Sequence, residues 1–251
     1  MSADRSHCKV DDVKPYAALN RPRRPINFKQ VRAVKVMLLQ HTVLQVLART
    51  VEFNMPVAVV VGHSYVRRLG DVLRERPHLQ NGRPDVRLEF VGIGGARLDP
   101  RVHDHRQIFD YVADVASFRP DIVFLHIGEN DLRTVHPEDI VGDIIELVRR
   151  IADACSPAAI VIGQLTKFPK HAFGSARTKY INRALEAYFS RRSRQPPRTD
   201  VSVWWHRIGI FGPGRARWYA RDDIHLNTAG MVKYRKSVCT AISRKCNELF
   251  Y

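Results

Sequence analysis

The chain has 251 residues, 45% of them apolar and 26% charged. That is enough for one large domain or two small ones around a sizeable core, which argues against wholesale disorder. The formal charge of +16, from 41 Lys and Arg against 25 Asp and Glu, favours polyanions or anionic surfaces as company without deciding the chemistry.

The opening MSADRSHCKVDD has no apolar core like that of a secretory signal, and no later run reaches the ~20 apolar residues of a membrane span, so a soluble intracellular protein is expected. Residues 1–30 alternate charge with Pro15, Pro22 and Pro25 and read as a basic disordered tail. Residues 31–55 place Val34, Leu38, Val43, Leu44, Leu47 and Val51 at three- and four-residue spacing, which suggests an amphipathic helix or linker that packs on the domain or binds a partner. From residue 56 to 251 the pattern is that of one domain. Short β-branched runs at 56–61, 86–92, 121–128, 158–165 and 201–206 alternate with helical stretches at 65–76, about 104–118, 137–154, 175–192 and 227–247. Nearly continuous apolar strands between helices mean a parallel sheet covered on both faces, here a three-layer α/β/α sandwich of about five strands. Pro137 followed by Glu138 and Asp139 is a typical helix opening. Cys8, Cys155, Cys239 and Cys246 form no CxxC pair and read as free thiols.

In such a sheet the ligand site lies at the carboxyl ends of the strands. Gly62-His63-Ser64-Tyr65 follows the first strand, Gly92-Ile93-Gly94-Gly95 the second, and Gly128-Glu129-Asn130-Asp131 the third, while Asp222-Asp223-Ile224-His225-Leu226-Asn227 precedes the last helix. A hydroxyl nucleophile needs a base, a carboxylate to orient the base, and donors for the oxyanion. Ser64 in a strand-to-helix turn, His225 and Asp222 three residues before it supply the nucleophile, the base and the orienting carboxylate. Asp223 competes with Asp222, since a one-residue shift in the turn would exchange them. Asp131 is expected to brace its loop and Glu129 to be a solvated side chain.

These four blocks resemble the SGNH or GDSL hydrolases, across residues 57–230 and in the family's order. The resemblance implies a flavodoxin-like sandwich and a serine esterase working through an acyl-enzyme. It implies Ser64, Asp222 and His225 as the catalytic triad, and Ser64, Gly92 and Asn130 as oxyanion donors. It calls for no metal or organic cofactor and for a small ester as substrate. One departure stands out: where the family has Asp directly before the serine, this chain has His63. This GHS variant is similar to SGNH domains of some animal retroelement proteins.

His103-Asp104-His105 offers alternating ligand types, but no third partner stands at a recognisable spacing, so no metal site is expected. Residues 165–221 hold thirteen Lys and Arg against two acids, Glu186 and Asp200. Arg191, Arg192 and Arg194 in this stretch are either a solvated helix end or a surface for nucleic acid or another polyanion. Trp204 and Trp205 are expected to lie partly in the core. A rival to the esterase is therefore the same scaffold binding a polyanion without turnover.

Overall fold

The computed structural model describes residues 55–76, 85–99, 106–166, 174–206 and 215–251. All lie in the second of the two units into which the chain divides, Asn54–Tyr251. The proposed tail at 1–30, nearly all of the segment 31–55, and His103-Asp104-His105 fall outside the described residues.

Five parallel strands form one sheet: β1 (Val57–Gly62), β2 (Arg87–Gly92), β3 (Ile122–His126), β4 (Ala159–Gly163) and β5 (Asp200–Trp204), in the order β2-β1-β3-β4-β5. The helices are α1 (Ser64–Glu75), α2 (Val112–Ser117), α3 (Pro137–Cys155), α4 (Gly174–Phe189) and α5 (Thr228–Phe250). The pleat sends alternate residues to opposite faces. Val59, Val61, Val123, Leu125, Ile160 and Ile162 pack with Val115 of α2, Ile144 and Val148 of α3, and Ile181 and Leu185 of α4. Ala58, Val60, Ile122, Phe124 and Val161 pack with Leu69 and Leu73 of α1 and Tyr234, Val238 and Ile242 of α5. The expected three-layer sandwich is thus present. Both faces of the central strands are buried, and truncating a side chain such as Phe124, which is fully buried, costs about 3–5 kcal/mol.

The element ends follow local chemistry. Pro137 opens α3 with Glu138 and Asp139 in its first turn, and Ser156 closes it in the left-handed region. Asn227 caps α5, its side chain accepting from the Gly230 N–H at 2.9 Å. The helix expected at 104–118 is shorter. Arg97 and Gln107 form a parallel bridge, and a 3-10 turn over Ile108–Tyr111 leads into α2, so Gln107 is spent on pairing before the helix can start.

The strand order puts β2 on one side of β1 and β3 on the other. The chain leaves β1 toward one edge and β3 toward the opposite one, and the crevice between their carboxyl ends is where such sheets bind ligands. The first and third motif blocks stand on either side of it.

Candidate active site

Ser64 is the first residue of α1 and is half-buried. His63 caps that helix: its ring Nδ1 accepts from the Tyr65 N–H at 3.4 Å, and its carbonyl accepts from the Arg67 N–H at 3.1 Å. Ser64 therefore sits at a helix N-terminus, where free N–H groups and the helix dipole favour negative charge.

The last block folds into a tight loop. Tyr219 and Leu226 form an antiparallel bridge, and the Ala220 N–H donates to the His225 carbonyl at 2.7 Å. Asp222 clamps His225 from within this loop. Its Oδ1 accepts from the backbone N–H groups of Ile224 (3.0 Å) and His225 (2.9 Å), and its Oδ2 lies 2.6 Å from His225 Nδ1. The backbone N–H of His225, then its ring, hold the Asp222 carboxyl well below the usual carboxylate range. A carboxylate that only accepts fixes the proton on Nδ1 and leaves Nε2 open. Asp222, not Asp223, holds the ring; Asp223 takes the left-handed turn position, φ 56°. The Tyr65 hydroxyl donates to the Ile224 carbonyl at 2.6 Å, which joins this loop to the Ser64 turn.

Asn130 lies in the loop after β3, half-buried, its Nδ2 donating to the Ala96 carbonyl at 2.7 Å. One amide hydrogen remains for another acceptor. Asp131 braces this loop as expected, accepting from the Leu98 N–H (3.1 Å) and the Asp99 N–H (3.3 Å). Burial pushes its carboxyl up to about 6 despite those bonds.

Gly92 has a different setting from the one its motif position suggests. In β2 the N–H groups of Arg87 and Ile93 donate to Pro56 and Gly62, so the alternation of the ladder turns the Gly92 N–H away from β1. A Cβ on Gly92 would stand 2.3 Å from the Arg67 backbone nitrogen. This glycine lets the first turn of α1 close onto β2. The following turn runs from Ile93 to Ala96, closed by the Ala96 N–H at 3.2 Å, with Gly95 at φ 75°. Its two central N–H groups take no part in that closure, and Asn130 touches it through Ala96.

Glu129 is the main correction to the sequence reading. Expected in solvent, it is 1% exposed and is the hub of a buried polar cluster. Its Oε2 lies 2.9 Å from His63 Nε2, and its Oε1 lies 2.7 Å from His126 Nε2 and accepts from the Thr166 N–H at 2.8 Å. His126 Nδ1 in turn meets the Tyr234 hydroxyl at 2.7 Å. Burial works to raise the Glu129 carboxyl, but the His126 and His63 rings outweigh it and hold it well below its ordinary value. Burial, then neighbouring Tyr219 and Glu129, push the Tyr65 phenol well above its own. The donor atoms of His63, His126 and Glu129 lie within 4.8 Å of one another, a set of metal-ligating types. Both Nε2 atoms, however, face carboxylate oxygens at hydrogen-bond distance, and the Nδ1 atoms are occupied by Tyr65 and Tyr234. The set is complete as a hydrogen-bonded cluster. The sequence signal for it was a histidine in the first block and a glutamate in the third, on neighbouring strands.

The expected basic cluster stands elsewhere. Arg191, Arg192 and Arg194 are exposed between α4 and β5, at the amino ends of the strands and so at the opposite edge of the sheet from Ser64. Arg192 donates to Gln195 Oε1 at 2.5 Å, and Arg194 lies 5.0 Å from the centre of the Tyr188 ring. Nearer the His225 loop, Arg217 and Lys233 lie 4.4 and 4.5 Å from the Trp218 ring centre. Trp204 and Trp205 are partly buried; Trp205 donates to Glu186 at 2.8 Å. Cys155, Cys239 and Cys246 are free thiols. Among the described residues no helix is long and apolar enough to cross a membrane.

Residues 54–233 match the family model of the GDSL-like Lipase/Acylhydrolase family. No curated protein matches the chain. Among solved structures, the fold is similar to that of an acetyl esterase mutant with an acetate ion (TM-score 0.56, 12% identity, 78% of this chain and 100% of that one). It is also similar to a carbohydrate esterase family 3 protein from Talaromyces cellulolyticus (TM-score 0.56, 13% identity, 78% and 100%). A third is a lipolytic protein of the G-D-S-L family from Veillonella parvula DSM 2008 (TM-score 0.53, 14% identity, 77% and 97%).

Proposed function

The chain belongs to the GDSL-like lipase/acylhydrolase family, a family of ester-bond hydrolases, and on that premise we propose a serine esterase that works through Ser64, His225 and Asp222. The observation that carries this reading is the Asp222 clamp on His225, tied by Tyr65 to the turn that bears Ser64.

Ser64 Oγ attacks the ester carbonyl carbon while His225 Nε2 takes its proton. Asp222, bonded at Nδ1, stabilises the imidazolium without taking the proton itself. The carbonyl oxygen becomes an oxyanion at the amino end of α1, where the Ser64 N–H and the free amide hydrogen of Asn130 meet it. The glycine donor that the motif assigns to Gly92 is supplied by the Gly94-Gly95 turn, because the Gly92 N–H faces away from β1. Collapse of the intermediate breaks the bond to the alcohol oxygen, which receives the proton from His225. Water then attacks the acyl-enzyme, giving its proton to His225, and Ser64 is released as the hydroxyl.

The test is covalent labelling by an organophosphonate together with hydrolysis of an aryl acetate. Wild type should be labelled at Ser64, and Ser64→Ala should lose both labelling and on the order of 10³ or more in turnover with its fold intact. Activity of Ser64→Ala within a few fold of wild type would sink the mechanism. An ester series of increasing acyl length then defines the substrate.

A second reading, from another class, is a scaffold that binds nucleic acid or another polyanion, with or without turnover. The exposed Arg191, Arg192 and Arg194 favour it, and so does the charge of +16. An accessory role in a retroelement, inside the cell, fits both activities and rests on the GHS resemblance.

A further inference from the structure

We infer that Glu129 is a positioning residue for Ser64, acting through His63, and that this histidine and glutamate form one interdependent unit. The inference rests on the serine esterase reading and adds to it a residue that never touches the substrate.

The argument starts from proton positions. Glu129 Oε2 faces His63 Nε2 at 2.9 Å in a site whose side chains are 2% and 0% exposed. An ionised carboxylate only accepts, so His63 must carry its proton on Nε2. The same ring offers Nδ1 to the Tyr65 N–H, and only an unprotonated Nδ1 can accept. Glu129 therefore selects the tautomer that caps α1 at Ser64. Its other oxygen collects His126 from β3 and the Thr166 N–H from the segment after β4. One carboxylate thus ties together the ends of three strands and the helix start that presents the nucleophile.

The pairing makes each single replacement fail for a different reason. In Glu129→Gln, an amide oriented to accept from His126 and Thr166 turns its NH2 toward His63 Nε2–H. Two donors then face each other, and the ring can resolve this only by moving its proton to Nδ1, which ends the cap. In His63→Asp, a good N-cap residue places a second carboxylate beside Glu129 in a fully buried site, so one of the two must take a proton. In the double variant the glutamine NH2 faces the introduced carboxylate and donates to it once the shorter aspartate side chain settles toward it, while the glutamine oxygen still accepts from His126 and Thr166. The unit is restored with opposite polarity.

The experiment is a double-mutant cycle in the full chain, with kcat and KM for an aryl acetate and thermal unfolding of each variant. His63→Asp and Glu129→Gln should each lower kcat by about 10- to 100-fold with KM within about threefold, and the double variant should recover to within about tenfold of wild type. Independent effects that multiply in the double variant would overturn the inference, since unlinked sites add in free energy. A second measurement does not depend on activity or on the variants folding: the 15N shifts of the wild-type imidazoles. His63 should show a protonated Nε2 and a bare Nδ1 near neutral pH, and the opposite tautomer or a mixture would overturn the inference. If wild type neither hydrolyses esters nor labels at Ser64 while His63 shows the expected tautomer, the esterase reading falls and the coupling of His63 to Glu129 stands.

Discussion

The hydroxyl of Tyr65 donates a 2.6 Å hydrogen bond to the carbonyl of Ile224, and those residues are the immediate neighbours of Ser64 and His225. Ser64 and His225, the nucleophile and base of the proposed mechanism, stand 161 positions apart in the chain, and this bond is a direct strut between their segments. Burial and neighbouring phenol and carboxyl groups push the Tyr65 phenol well above its ordinary value, so it stays a donor throughout any practical assay range. Tyr65→Phe should lower kcat about tenfold or more, because small misplacements of reacting groups are expensive. Stability should fall by only about 1 kcal/mol, since Ile224 is 38% exposed and water can replace the lost donor. Unchanged turnover would show that the loop is held in place without the strut.

Asn130 already donates one hydrogen to Ala96, which aims the rest of its amide and keeps it from rotating. Under the proposed mechanism Asn130→Ala should reduce kcat by about 10² to 10³ with a smaller effect on KM, because the oxyanion it would meet exists only after attack. A change confined to KM would assign Asn130 to substrate binding.

Asp131 gives a pH-dependent stability with a definite sign. Its carboxyl is raised from 3.8 to about 6, by burial first and against two backbone hydrogen bonds, so the folded state holds the proton more tightly than the unfolded chain. The stability it contributes is complete below about pH 4 and is lost as pH rises through about 6, of the order of 2–3 kcal/mol in all. Asp131→Asn, which cannot ionise, should gain stability relative to wild type across that window in urea unfolding at pH 4.5, 5.5 and 7. A difference independent of pH would mean that Asp131 titrates as an ordinary carboxyl.

Retention on heparin or nucleic acid should fall steeply with salt, because released counterions supply most of the free energy. Replacing Arg191, Arg192 and Arg194 together with Gln should weaken retention and leave aryl acetate hydrolysis within about twofold, as these residues stand at the amino ends of the strands. Identical salt curves would remove them from any polyanion site. A parallel loss of hydrolysis would contradict the separation of the two edges of the sheet.

The alternation of β-branched runs with helical stretches was sufficient to predict a parallel sheet between two helical layers, because burial on both faces demands apolar residues at every strand position. The spacing of Asp222 and His225 predicted their contact for a similar reason: three residues of tight turn leave a carboxylate little choice of partner. Glu129 could not be read this way. A glutamate between a glycine and an asparagine in a loop has the local signature of a solvated side chain. Only the pairing of β1 with β3 brings it under His63, where a buried carboxylate is tolerated because three donors converge on it. Gly92 shows the same limit from the other side. Its place in the motif is local, but the direction of its N–H follows from which neighbour β2 pairs with, and among the described residues β2 pairs with β1 alone, at the edge of the sheet. Residue types and short spacings determined which chemical groups were available; long-range strand pairing decided which of them face one another, because that pairing sets the direction of every N–H and the burial of every charge.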